Sequence, residues 1–292
     1  MRRWLISGVA CLLIWPAAVK ADDVSAAAPF NPFSVRVVSL LGSDYIDRGQ
    51  TVSAHRPSAG NTLEVQHASG VYVRGEVNTV KLPSNPIAEI NMGGGYRRSF
   101  GSFRIDINSE YSHYPRETLN GKPTDTDYWE HTFNAYYNIT PEIELAGQFS
   151  WAPDMAKTGA WSKYTEFVAK VELPKKFTPA GVIAEFSAGV GYYWFGRVLP
   201  ATGNYRLPAY TYWHAGVEFF ADPFRLDFRY HDTGISRENC FILTGDPGAT
   251  PGGFIDEVSN PRGLRSNWCG ATFVTTLSIE FDSSRSKGTM LH

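Results

Sequence analysis

Ser102-Phe103-Arg104-Ile105-Asp106-Ile107-Asn108-Ser109-Glu110-Tyr111-Ser112 alternates apolar and polar side chains. Successive side chains of a strand lie on opposite faces, so Phe103, Ile105 and Ile107 point one way and Arg104, Asp106 and Asn108 the other. A sheet built from such segments has one apolar and one polar face. About twelve stretches of this kind lie between Val35 and Phe281, near 35–46, 61–67, 71–81, 87–97, 102–112, 128–138, 142–151, 163–172, 182–194, 208–220, 224–231 and 270–281.

Their joints alternate in length. Short ones fall at Ala68–Gly70, Ser99–Ser102, Ile139–Pro141, Leu173–Gly181 and Ala221–Pro223. Longer ones fall at Asp47–Gly60, Leu82–Pro86, Pro115–Asp127, Ala152–Ser162, Arg197–Leu207 and Asp232–Trp268. Long loops on one side and tight turns on the other predict an all-β chain forming a transmembrane antiparallel β-barrel of about 12 strands. Because the first joint is long, both termini are expected in the periplasm. Trp129, Trp151, Trp194, Trp213 and Tyr230 sit toward the long loops, and Tyr137, Phe219, Phe224 and Phe281 toward the tight turns. Two aromatic girdles are expected where a barrel crosses two lipid interfaces. A soluble β-sandwich would bury the same aromatics, but it has no need of regularly alternating loop lengths.

The ends of the chain fit export. Arg2 and Arg3 precede the apolar run Trp4–Trp15, and Val19-Lys20-Ala21 ends on a small residue. This predicts a cleaved signal peptide over 1–21; the alternative, an uncleaved anchor, would need a longer apolar run. A periplasmic lead-in over 22–34, the barrel over 35–281 and a polar C-terminal tail over 282–292 complete the expected organisation. The expected place is the outer membrane of a Gram-negative bacterium, because only helices and closed barrels satisfy all their backbone groups in lipid. The partners expected are outer-membrane lipid, the barrel-assembly machinery and small hydrophilic solutes. A net charge of −2 argues against nucleic acid. A barrel this small is expected to be a monomer, and no cofactor is implied.

The chain SLLGSDYIDRGQTVS, with Ser43, Asp44, Tyr45, Arg48 and Gly49, is followed by Gly70-Val71-Tyr72-Val73, by Gly93-Gly94-Gly95-Tyr96 and by Tyr114-Pro115. In this order the segments resemble the TorF-type porin family, and the resemblance implies an outer-membrane barrel acting as a porin. Asp47 departs from the pattern, which carries an aromatic or apolar residue there.

Alternation places Glu64, Arg74, Glu76, Glu89, Arg104, Asp106, Glu110, Glu130, Glu166, Lys170, Glu185, Glu218, Arg225, Asp227, Arg229 and Glu280 on the inner wall. Acids outnumber bases by roughly two to one, and charged rings on a pore wall bias permeation. The expected function is passive diffusion of small hydrophilic solutes or ions with a mild cation preference. Equally, such charges pair with one another in any polar barrel interior. A twelve-strand barrel tilted by roughly 40° has a backbone diameter of about 24 Å, too small for size alone to separate an open pore from a plugged one.

Gly93, Gly95, Gly189 and Gly191 share the inner face, where glycine serves curvature or leaves space for a solute or loop. In the loop 232–268, the apolar Phe241, Ile242, Phe254 and Ile255 suggest a segment that packs over the mouth and constricts it. Cys240 and Cys269 at its edges are expected to form a disulfide in an oxidising compartment, the alternative being two free thiols. Two further classes stay open: a plugged structural or adhesive barrel, and an outer-membrane hydrolase. The hydrolase would need a serine beside a histidine on the outer face. His214 and His131 lack a serine two residues on, His231-Asp232 is as easily a loop cap, no Gly-x-Ser-x-Gly elbow is present, and the histidines have no metal-ligand spacing. No enzyme is therefore expected.

Overall fold

The computed structural model describes residues 31–199, 204–249 and 264–284. Twelve antiparallel strands close into one barrel. They are β1 (Phe33–Gly42), β2 (Ser58–His67), β3 (Val71–Asn78), β4 (Glu89–Phe100), β5 (Phe103–His113), β6 (Tyr128–Thr140), β7 (Ile143–Ala152), β8 (Ser162–Glu172), β9 (Ile183–Phe195), β10 (Tyr210–Ala221), β11 (Phe224–Thr233) and β12 (Thr272–Asp282). Each strand pairs with its neighbours in sequence, and β12 closes on β1 from Arg36↔Asp282 to Gly42↔Thr276. Closure leaves no sheet edge, so every strand can satisfy its backbone internally in lipid. Among the described residues no helix is long and apolar enough to cross a membrane.

The alternation read from β5 holds around the barrel. Outward positions stay exposed and apolar, as at Val73, Ile107, Phe133, Phe167, Val190 and Phe273. Trp129, Trp151 and Trp213 project outward near the long loops, and Tyr137, Phe219 and Phe281 near the turns. This apolar band with aromatic rims makes the chain a membrane-spanning β-barrel.

Three segments differ from expectation. β1 starts at Phe33 and stops at Gly42, because the chain from Ser43 turns away from the wall. Beyond it lies a tiny hairpin, Ile46–Asp47 against Gln50–Thr51. The last loop carries a helix, α1 (Arg237–Thr244), whose start and stop have local causes. The Ser236 side chain accepts from Asn239 N, and Gly245 ends the helix in a left-handed conformation. The expected signal peptide and most of the lead-in lie outside the described residues, as do Phe254, Ile255 and the tail from 285.

The main apolar cluster fills the mouth at the long-loop end, not the barrel's waist. Val52 of the first loop, Leu82, Tyr114, Met155, Val198 and Leu243 meet the inward ends of the strands at Tyr128, Tyr164, Tyr193, Phe195, Tyr210 and Tyr212.

Candidate functional site in the lumen

Near the tight-turn end, inward side chains from all twelve strands form a belt: charged groups from ten of them, two from β5, and tyrosines from β3 and β6. Glu280 on β12 accepts from Arg36 Nε on β1 and from Arg225 Nε on β11, both at 3.0 Å. Arg225 also donates to Glu218 on β10 at 2.5 Å. Glu64 on β2 and Asp106 on β5 share Arg97 on β4, whose guanidinium lies 4.6 Å from the ring centroid of Tyr72 on β3. Arg104 on β5 reaches Glu144 on β7 at 3.6 Å and stacks over Tyr136 on β6 at 4.1 Å. Lys170 on β8 meets Glu185 on β9 at 3.4 Å. Acids and bases are nearly balanced around the ring, with Glu185 and Glu218 the one pair of like neighbours among those named, so its net field is small.

Above the belt the wall is richer in acid. Arg74 pairs with Glu76 beside it on β3. Arg229 clasps Asp227 with two nitrogens and donates to His214 Nδ1 at 2.8 Å. A guanidinium can only donate, so Nδ1 accepts and the His214 proton sits on Nε2, which donates to Glu166 at 3.0 Å. Glu110 lies on the same wall as Arg74, on the other side of Gly93, without a hydrogen bond among the described residues. The glycines of this wall have a steric cause. A Cβ at Gly189 would run into the His214 ring, which lies across the β9 backbone. Close approach of that ring, not space for a solute, explains it.

The chamber is closed from above by the first loop. The Asp44 carboxylate organises that loop, accepting from Tyr45 N (2.8 Å), Thr51 Oγ1 (2.6 Å), Ser53 Oγ (2.7 Å) and His55 Nδ1 (2.8 Å). This carboxylate partner holds the His55 imidazole above its ordinary pKa. At the tip, Arg48 and Gly49 both have positive φ, 45° and 81°, as the two central residues of a type I′ hairpin turn require. A side chain at Gly49 would collide with Thr233 and Tyr212 on the wall, so the tip fits only with glycine there.

The tip carries Arg48 into the lumen. Arg48 donates to Glu130 on β6 through two nitrogens, at 2.6 and 2.8 Å, and to Tyr193 Oη at 2.9 Å. Tyr164 and Tyr193 place their ring faces 4.6 and 4.9 Å from its guanidinium carbon. Gln50 Nε2 donates to Tyr210 Oη at 2.6 Å, and that phenol donates to the Arg48 carbonyl at 2.9 Å. Tyr45 and Tyr114 both donate to Glu89 on β4, at 3.1 and 3.3 Å.

From outside, Thr51 N donates to Trp268 O at 2.8 Å, and the Cys240–Cys269 disulfide ties that segment to α1. Among the described residues the last loop braces the first and adds Leu243 to the cluster in the mouth. Of Phe241 and Ile242, expected to pack, the first is half-buried and the second exposed; the buried residues of α1 are Cys240, Leu243 and Thr244.

All sixteen charges read from alternation lie on strands, and each is buried or half-buried. The reading missed Arg36, Arg97 and Glu144 of the belt, and the whole plug. The missed arginines narrow the acid excess. At the outer rim, Glu117, Asp125 and Asp127 bring carboxylate oxygens within 4.8 Å of one another. Donors already serve them: Thr126 on Glu117, Tyr111 and His113 on Asp127, and Lys157 on Asp125. Ser109 Oγ and His131 Nδ1 do meet on the outer face, at 2.8 Å, as direct cross-strand neighbours. Among the described residues no side chain bonds the other ring nitrogen, so the orienting third member of a hydrolytic triad is missing. His231 and Asp232 point to opposite faces, His231 to Tyr212 and Asp232 to Tyr230.

A closed barrel with an apolar outer band and a charged, water-side interior defines a transmembrane β-barrel of the outer-membrane kind. The chain belongs to the family described as bacterial proteins of unknown function, Gcw_chp, whose model matches residues 25–246. No curated protein matches it by sequence. Among solved structures it is similar to the NanC porin, at 8% identity over 85% of this chain and 98% of that one with a TM-score of 0.42. It is similar to the KdgM porin, at 7% identity over 85% and 99% with a TM-score of 0.43. It is also similar to an outer membrane channel from Pseudomonas putida F1, at 13% identity over 90% and 100% with a TM-score of 0.41. What these share with the chain is the barrel.

Proposed function

We propose that the protein is an outer-membrane, porin-like channel for passive diffusion of small hydrophilic solutes or ions. One observation carries the reading: beneath the plug, wall charges on opposite sides of the lumen keep contact with solvent. Arg97 and Glu185 keep 26% and 25% of their side-chain surface, and Arg74, Glu218 and Asp227 each keep 20%. A charged, wetted conduit stopped at one end by a loop suits a channel in its closed state. The resemblance of the 43–49 and 70–73 segments to TorF-type porins supports the same reading. Under it, a signal peptide over 1–21 delivers the chain to the periplasm, the assembly machinery inserts it from there, and the barrel works as a monomer.

The acid excess lies in the chamber, where Glu76, Glu89, Glu110, Glu130, Glu166 and Asp227 face Arg74, Arg229 and the loop's Arg48. This supports a mild cation preference. The wall residues Glu64, Arg104, Asp106, Lys170, Glu185, Glu218, Arg225 and Glu280 then act as the balanced belt below it. A second reading, a permanently plugged structural or binding barrel, draws on the depth at which Arg48 is seated.

Bilayer recording separates the two readings. The refolded chain is compared with a variant in which residues 44–56 are replaced by a short Gly-Ser linker, under a salt gradient. We expect discrete steps from the trimmed barrel and a cation-biased reversal potential. A folded, heat-modifiable trimmed barrel that never conducts would sink the channel reading. An anion-biased potential would sink the cation preference alone.

A further inference from the structure

We propose that the first loop is an acid-closing gate in which Asp47 is the proton sensor and Arg48 the latch. The inference deepens the channel reading and rests on it.

Asp47 rides on the same hairpin tip as Arg48 and is only 4% exposed. Its Oδ2 is buried with no hydrogen-bond partner. Its Oδ1 lies 3.9 Å from Arg48 Nε, beyond hydrogen-bond reach, while the other end of that guanidinium is committed to Glu130. The charged groups facing it from the wall are carboxylates: Glu130 on β6, Glu89 on β4 and Glu166 on β8. Among the described residues, phenols also interact with it: Tyr45 and Tyr114 from loops and Tyr128, Tyr164, Tyr193, Tyr210 and Tyr212 from strands. Phenols are neutral over the physiological range. Seating the tip therefore places a carboxylate among carboxylates, with one cation and too few donors. A proton on Asp47 removes that penalty.

Burial accordingly holds Asp47 well above the usual carboxylate range while the loop is docked. In the released loop it returns to about 4. Docking thus takes up a proton. Below the released pKa the group is neutral in both states and costs nothing. As pH rises toward the docked pKa the released state gains, by up to about tenfold per pH unit for one proton. His55 acts in the same direction. Its pKa is raised in the docked loop by Asp44, so its contribution is complete below about 6.5 and is lost as pH rises through the docked value. Acid closes; a more alkaline medium opens.

The test is single-channel recording of the full chain between pH 5 and 8, beside Asp47→Asn and the loop-trimmed variant. Open probability of the unaltered chain should rise with pH. Asp47→Asn should stay closed to higher pH, with only the shallower His55 dependence left. If the trimmed barrel conducts throughout while the unaltered chain shows no pH dependence, the gate is wrong and the channel reading survives. If the trimmed barrel does not conduct, the channel reading fails, and the gate is judged by labelling Gln50→Cys with an impermeant maleimide. Gln50 is 3% exposed in the docked loop. Divided by the rate for a free thiol at the same pH, which corrects for the thiolate fraction, a labelling rate that rises with pH supports the gate; a flat ratio overturns it.

Discussion

The two ends of the lumen are built on different principles. At the tight-turn end, charges stand on strands and pair with charges on other strands. At the long-loop end, a single hairpin brings its own arginine to a wall carboxylate and covers it with tyrosine rings. The belt is woven into the hydrogen-bonded cylinder and cannot move without it. The plug is held by side chains and a few backbone bonds, so it can leave while the cylinder stays. Strength of pairing does not separate the two ends; covalent placement does.

Breaking each end should therefore have opposite consequences. The largest effect is expected from Glu280→Ala, because Glu280 is 2% exposed and joins Arg36 to Arg225. Removing one partner of a buried pair costs about 3–5 kcal/mol. Urea unfolding in detergent should show that loss, with the plug still seated. Arg48→Ala removes a comparable pairing, but the loss falls on docking. We expect the docked-to-released ratio to drop on the order of a hundredfold, read as open probability, with the unfolding midpoint nearly unchanged.

Replacing Cys240 and Cys269 by serine sharpens the contrast. Loss of a disulfide typically costs about 2–4 kcal/mol. Here it should loosen the Trp268 brace on Thr51 and raise open probability without touching the belt. Gly49→Ala should do so more weakly. A left-handed alanine costs roughly 1–2 kcal/mol, and its methyl would press on Thr233 and Tyr212. The smallest effect belongs to His55→Gln. A half-exposed pair of this kind is worth about 0.2–1 kcal/mol, present at pH 6 and lost toward pH 8. The variant's open probability should match the unaltered chain at pH 8 and exceed it at pH 6.

The cylinder was legible in the sequence because period-two alternation is a local property, and lipid on one side with water on the other enforces it at every strand. Arg36 escaped because SVRVVSLLG alternates least cleanly: Leu40 shares the inner face with Arg36 and Val38. Arg97 escaped because it sits next to Arg98 near a strand end, where a turn was expected to begin two residues later. Two residues beyond Gly95 on the same face, it could have been found by extending the period. The plug was not legible. Arg48-Gly49 is visible as a turn, but nothing local says that it folds inward. That depends on Glu130, Tyr164, Tyr193 and Tyr210, which lie far along the chain and meet the tip only after the barrel has closed. The last loop, longer and richer in apolar residues, draws attention first, and its Leu243 does enter the same cluster.

The comparison is tested most directly by recording Arg48→Ala and Arg97→Ala side by side in planar bilayers, each checked for a heat-modifiable barrel. We expect Arg48→Ala to open frequently and Arg97→Ala, with its belt broken but its plug seated, to stay as closed as the unaltered chain. Equal closure of both variants would show that the first loop does not control the lumen.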